Sequence, residues 1–145
     1  MTTLETRERL RLAVPNKGRL VEPTVQLLRD LHTAGVRLLA LTNWSAETFP
    51  HARAMFAFLS LFEDVVVSGE ERLAKPDLAV FRLVLDRYRL DPTRTVFVDD
   101  SPRNVGAAAT AGLVAVRFHD ASRLRDDLQR LGLLADQPGP AGTGP

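Results

Sequence analysis

The chain has 145 residues, 45% of them hydrophobic and 26% charged, with a formal net charge of +1, the make-up of one globular domain able to bury its own core. Charge so near neutral argues against a nucleic-acid footprint and against attraction to acidic membranes, which leaves a small molecule or a protein as the partner. The absence of cysteine excludes disulfides, thiolate chemistry and Cys-type zinc sites; no apolar run is long enough to cross a bilayer and no basic-then-apolar leader opens the chain, so it reads as cytoplasmic.

Residues 1–20 read as an atypical lead-in. Glu5, Arg7, Glu8, Arg9 and Arg11 alternate in charge as a solvated segment does, and Leu12-Ala13-Val14 can form a very short strand before the turn-forming cluster Pro15-Asn16-Lys17-Gly18. A core follows over residues 21–134. From Pro23 the period is helical, with Val25, Leu27, Leu28 and Leu31 on one side until Gly35 stops it. Val36 to Leu41 is a strand that ends in Thr42 and Asn43, and Ser45 stands ready to cap what comes next. The Ala-rich, aromatic stretch 46–60 predicts a helix around Pro50, with His51 as a surface residue because no second histidine lies at helical spacing.

Phe62 to Ser68 predicts a third strand, followed by a loop through Gly69 and Leu73. Lys75-Pro76-Asp77 opens a helix whose apolar side carries Val80, Phe81, Val84, Leu85 and Tyr88. Val96 to Val98 then form an apolar run that ends abruptly in Asp99 and Asp100, as a buried parallel strand does when it delivers charge to the carboxyl edge of a sheet. A helix over 105–111 stopped by Gly112, a strand Val114 to Phe118 and a helix Ser122 to Leu131 complete the core. Residues 135–145, rich in proline and glycine, read as a disordered tail. The alternation of strand and helix predicts an α/β three-layer sandwich with a parallel sheet.

Ligands of open α/β sheets bind at the carboxyl edge, and three polar clusters fall there. Thr42 and Asn43 offer a hydroxyl and an amide to phosphate or carboxylate oxygens, and Lys75 can offset anionic charge. Asp99 and Asp100 point to opposite sides of their strand, with Asn104 returning to the same place from the following helix, an oxygen-rich set suited to Mg²⁺. The polar residues here also suit helix capping, Ser45 for the helix after Thr42 and Asn43, and Asp100 or Ser101 for the helix that starts near Pro102.

In order, LTNWS, KPD and VFVDDSPRNV resemble motifs II, III and IV of the haloacid dehalogenase (HAD) superfamily, and SAETFPHAR and VVVSGE resemble its haloacid dehalogenase and sugar-phosphate phosphatase branch. The resemblance implies a Rossmannoid core truncated at its N-terminal side. It implies substrate binding by Thr42, Asn43 and Lys75, catalytic roles for Lys75 and Asp100, and a weak Mg²⁺ site at Asp99, Asp100 and Asn104. The implied activity is Mg²⁺-dependent hydrolysis of a phosphate ester, or dehalogenation of a small acid, with a small phosphorylated or carboxylate molecule as ligand.

Motif I of that family, Asp-x-Asp, supplies the nucleophile and the general acid/base, and here Pro15 and Lys17 stand in its place. The interval from Gly18 to Thr42 is also too short for the helical cap domain that members usually carry there. The resemblance therefore implies a chain inactive alone; the alternative is a non-catalytic HAD-like domain that binds an anion or a protein. The opening LRLAVPNKGRL separately resembles the start of ATP phosphoribosyltransferase, but no phosphoribosyl-binding pattern follows it and that activity is not transferred.

Overall fold

Five short strands pair into one parallel sheet in the order β3-β2-β1-β4-β5. The structure is a computed structural model and describes residues 10–12 and 22–135. In chain order the elements are β1 (Leu10–Leu12), α1 (Glu22–Thr33), β2 (Leu39–Thr42), α2 (Phe49–Met55), a 3₁₀ segment (Ala57–Leu61), β3 (Asp64–Val67), the single turn α3 (Ser68–Glu71) and α4 (Leu78–Arg87). A 3₁₀ turn (Pro92–Arg94), β4 (Val96–Asp99), α5 (Pro102–Thr110), β5 (Val114–Arg117) and α6 (Ala121–Arg130) follow.

Successive strand residues face opposite sides, and this splits the core into two layers. Ala40, Val65, Val67, Val96 and Val98 pack with Leu27, Leu28 and Leu31 of α1, Phe49 and Ala52 of α2, and Leu124 and Leu128 of α6. Leu41, Val66 and Phe97 face the other way, onto Val80, Phe81 and Val84 of α4 and Ala108 of α5. Phe81 meets Phe97 edge-on with ring centroids 5.1 Å apart. The result is the three-layer α/β sandwich that the alternating periods predict. Leu28, Leu31 and Leu128 are wholly buried, each contributing about 1.5–3 kcal/mol by removal from water.

Three helices start from a side-chain cap, whereas α2 and α3 do not: α2 begins after Thr48, not Ser45, with no side-chain bond to its first turn. Asp77 accepts from the Ala79 N–H at 2.9 Å, Ser101 from Asn104 at 3.5 Å and Asp120 from Arg123 at 2.8 Å. Asp77, and not Pro76, therefore sets the start of α4, and the Lys75–Pro76 peptide is cis. Gly35, at φ 78°, ends α1 in the left-handed conformation that glycine adopts without strain.

Several elements differ from the sequence reading; β2 starts at Leu39 instead of Val36, and α5 starts at Pro102 instead of 105. β1 lies two residues earlier than Leu12-Ala13-Val14, because Leu10, Arg11 and Leu12 pair with Val96, Phe97 and Val98, and Leu12 also with Ala40. Backbone pairing on both sides sets that position, so three residues given to the lead-in stand in the middle of the sheet. β3 starts at Asp64, since Phe62 and Glu63 are turning out of the 3₁₀ segment, and Gly69 belongs to a helical turn instead of a loop. The stretch 46–60 is divided at the extended Phe56 between α2 and the 3₁₀ segment. Pro15 to Gly18 and the tail from Asp136 lie outside the described residues, as does most of the 1–20 lead-in. Among the described residues, no helix is long and apolar enough to cross a membrane.

Candidate functional site

A parallel sheet gathers the carboxyl ends of its strands on one edge, so Thr42 at the end of β2, Ser68 just after β3 and Asp99 at the end of β4 share that edge. Lys75, on the connection from α3 to α4, reaches in among them. Its Nζ donates to Asp99 Oδ2 at 2.8 Å, and the two side chains are only 3% and 4% exposed. Asn104 Nδ2 donates to the same oxygen at 3.1 Å, and the Ser101 N–H to Asp99 Oδ1 at 2.9 Å. Burial alone would push the Asp99 carboxyl up; the Lys75 charge and these donors outweigh it and hold the group below the usual carboxylate range. Asp99 is thus ionised and fully engaged.

Asp100, its neighbour, is exposed as a residue. Partial desolvation of its carboxyl, then the adjacent Asp99, raise its pKa above the ordinary value. A carboxylate crowded in this way favours a cation nearby. Among the described residues no group of three His, Cys, Asp or Glu side chains could hold a metal. The donor set of one free carboxylate therefore fits Mg²⁺ only as a largely hydrated ion sharing its remaining positions with waters and ligand oxygens.

Asn43 is half-buried and grips Lys75 by its main chain. Its Oδ1 accepts from the Lys75 N–H at 3.0 Å and from the Ser68 hydroxyl at 2.8 Å, while Nδ2 donates to the Lys75 carbonyl at 3.1 Å. One Nδ2 hydrogen is left over by this count. Thr42, 1% exposed, accepts from the Trp44 N–H at 3.3 Å, which leaves its hydroxyl hydrogen available. Lys75 uses one of three ammonium hydrogens on Asp99, and its Nζ lies 5.9 Å from the centre of the Phe97 ring.

Asn43, Lys75, Asp99 and Asn104 therefore form one hydrogen-bonded group, with Thr42 and Asp100 adjoining it in sequence at the same edge. Two residues of this edge drew no functional notice from the sequence. One is Ser68, whose signal was the same as that of Thr42 and Asp99, a polar residue closing an apolar run. The other is Gly69, whose N–H donates to the Trp44 carbonyl at 3.2 Å. A Cβ there would stand 2.3 Å from the Ala46 nitrogen and 2.9 Å from the Ser45 carbonyl carbon, so only glycine lets the ends of β2 and β3 close together.

The haloacid dehalogenase-like hydrolase family matches residues 3–112, a span that runs from before β1 through all of the motifs described. The chain belongs to that family. A sesquiterpene phosphatase of Aspergillus oryzae is 34% identical over 105 residues, covering 72% of this chain and 54% of that protein. An uncharacterized protein from Corynebacterium glutamicum superposes with a TM-score of 0.74 at 26% identity, over 90% of this HAD chain and 98% of the other. A HAD family enzyme from Bacteroides thetaiotaomicron, an aspartate-to-alanine variant in complex with magnesium and inorganic phosphate, superposes with a TM-score of 0.60 at 25% identity, over 69% of this chain and 55% of that one. The chain spans about half or less of the length of the curated relatives it matches first.

Proposed function

We propose that this chain binds a phosphate group with weakly held Mg²⁺ at the carboxyl edge of its sheet, as a phosphatase core of the HAD family, and does not hydrolyse phosphate esters by itself. What supports the binding reading is the donor capacity left over by the hydrogen bonds at this edge, on the Thr42 hydroxyl, one Asn43 N–H and two Lys75 hydrogens, beside Asp100. Bound Mg²⁺ would be held by Asp100, with Asp99 and Asn104 supporting it from behind, and would neutralise phosphoryl charge. A carboxylate ligand of similar size meets the same donors less completely, because it has fewer oxygens to fill them.

The reading of inactivity rests on Pro15 and Lys17. A covalent route requires a carboxylate about 3 Å from phosphorus, and correct placement of such a group is worth on the order of 10⁵ M or more in effective molarity. Proline offers no nucleophile, and lysine carries the opposite charge to the carboxylate that the motif calls for; from Leu10 to Val21 the sequence holds no Asp or Glu. Asp99 cannot substitute, because both of its oxygens are taken by Lys75, Asn104 and Ser101. Asp100 as nucleophile would be withdrawn from the metal.

An assay with an aryl phosphate and Mg²⁺, run on the wild type and Asp100→Ala side by side, tests this. The expected result is background turnover in both. Robust wild-type turnover that vanishes in Asp100→Ala would overturn the proposal and show that another group has taken the nucleophile's place.

A further inference from the structure

Ser68 stands behind the anion site. It is 6% exposed, and its hydroxyl donates to Asn43 Oδ1 at 2.8 Å. That oxygen already accepts the Lys75 N–H, so the amide takes two donors at its oxygen and gives one hydrogen to the Lys75 carbonyl. The flipped amide would set Nδ2 against the Lys75 N–H and Oδ1 against the Lys75 carbonyl, so only one orientation is satisfied. An amide accepting two hydrogen bonds at oxygen is polarised and donates more strongly at nitrogen. Gly69, next in sequence, is clamped against Ser45 and Ala46, which fixes the position of the Ser68 backbone relative to Asn43.

We infer that Ser68 is a positioning residue of this site: its hydroxyl orients and polarises the Asn43 amide, and through Asn43 it steadies the main chain from which Lys75 reaches Asp99. The inference rests on the anion-binding reading above. Ser68 itself touches no ligand. Its effect is on the quality of the donors presented by Asn43 and Lys75.

Inorganic phosphate titrated by calorimetry into the wild type, Ser68→Ala, Ser68→Cys and Ser68→Thr supplies the test. Removing one hydrogen bond of this type is expected to weaken phosphate about fivefold in Ser68→Ala. Cysteine keeps the volume but donates poorly and should behave like alanine, whereas threonine keeps the hydroxyl and should restore affinity; if alanine unfolds the chain, the cysteine variant answers alone. Combined with Asn43→Ala, the serine change should add nothing further, because its influence passes through that amide. Wild-type affinity in Ser68→Ala or Ser68→Cys, or an additive double change, would overturn the inference. The side-chain amide resonances of Asn43, recorded without phosphate, separate the two readings. Should the wild type bind no phosphate, the anion reading falls, and Asn43 resonances left unmoved by Ser68→Ala overturn the Ser68 assignment on their own.

Discussion

The two edges of the sheet are both rich in charge, and they use it differently. At the amino edge of β2 and β3, Arg37 donates to both oxygens of Glu63 at 2.7 and 2.9 Å and to the Tyr88 carbonyl at 3.2 Å. Tyr88 donates in turn to Asp64; burial first, and then that carboxylate, push the phenol up to about 12. The other Asp64 oxygen accepts the Val65 N–H at 2.8 Å, which closes off a donor on an edge strand. These groups are mostly solvent-facing and matched partner to partner, a seam that ties α4 to the sheet. At the carboxyl edge the pairs are buried, and their members keep hydrogens that the protein does not use.

A groove and a donor set need not coincide. A groove of about 570 Å³ lies at the amino edge, lined by Arg53, Phe56, Leu59, Phe62, Asp64 and Val65. What marks the opposite edge is unsatisfied hydrogen-bonding capacity at residues too buried to satisfy it with bulk water. Neither the density of charge nor the volume of a groove identifies that condition.

The sharpest way to break this comparison is to remove one acid from each edge. Asp99→Ala strands the Lys75 charge in a buried site and is expected to cost about 3–5 kcal/mol by urea denaturation. Glu63→Ala, removing a partly exposed pair, should cost no more than about 1 kcal/mol. Equal losses would show that burial does not distinguish the two edges. Gly69→Ala should fall between them, about 1–3 kcal/mol, because the two strand ends must part to admit a methyl group.

Acid titration sharpens the contrast within the site itself. Asp99 has a folded-state pKa below 3.8, so its stabilisation is present above 3.8 and is lost as pH falls through that lower value. Asp100 has the opposite sign: its pKa lies above 3.8 when folded, so its contribution is present below 3.8 and is lost as pH rises through the raised value. Asp100→Asn should therefore raise the melting temperature of the metal-free protein slightly at neutral pH and remove any further rise on adding Mg²⁺. A fall in melting temperature with the Mg²⁺ response retained would mean that Asp100 is not the crowded acid of the pair.

Much of this was legible in the sequence because parallel strands are simple to read. Val96 to Asp99 and Leu39 to Thr42 announce themselves as apolar runs ending in polar groups, and those endings share an edge once the crossovers are right-handed. The division of labour between Asp99 and Asp100 was only half visible. Alternation says that the two acids diverge, but which of them meets Lys75 depends on a connection of irregular backbone that no periodicity describes. Asn43 read as a ligand group because amides bind anions, while most of its capacity is given to the Lys75 main chain, a contact across 32 residues of sequence. Ser68 was hidden among strand residues, and Gly69 passed for an ordinary turn because its constraint is another backbone and not its own φ.

β1 precedes in sequence both of the strands it pairs with, yet it stands between them, with β2 and β3 on one flank and β4 and β5 on the other. As the polypeptide leaves the ribosome, the middle of the sheet is made first and must wait. Residues 64–67 have to arrive before the β2 flank can be completed, and residues 96–99 before the two flanks can be joined at all. Contacts of such long sequence separation form late and slowly. The hydrogen-bonded group at the carboxyl edge, which draws on β2, the end of β3 and β4 together, can consequently close only after Asn104 has been made, when most of the chain has already been synthesised.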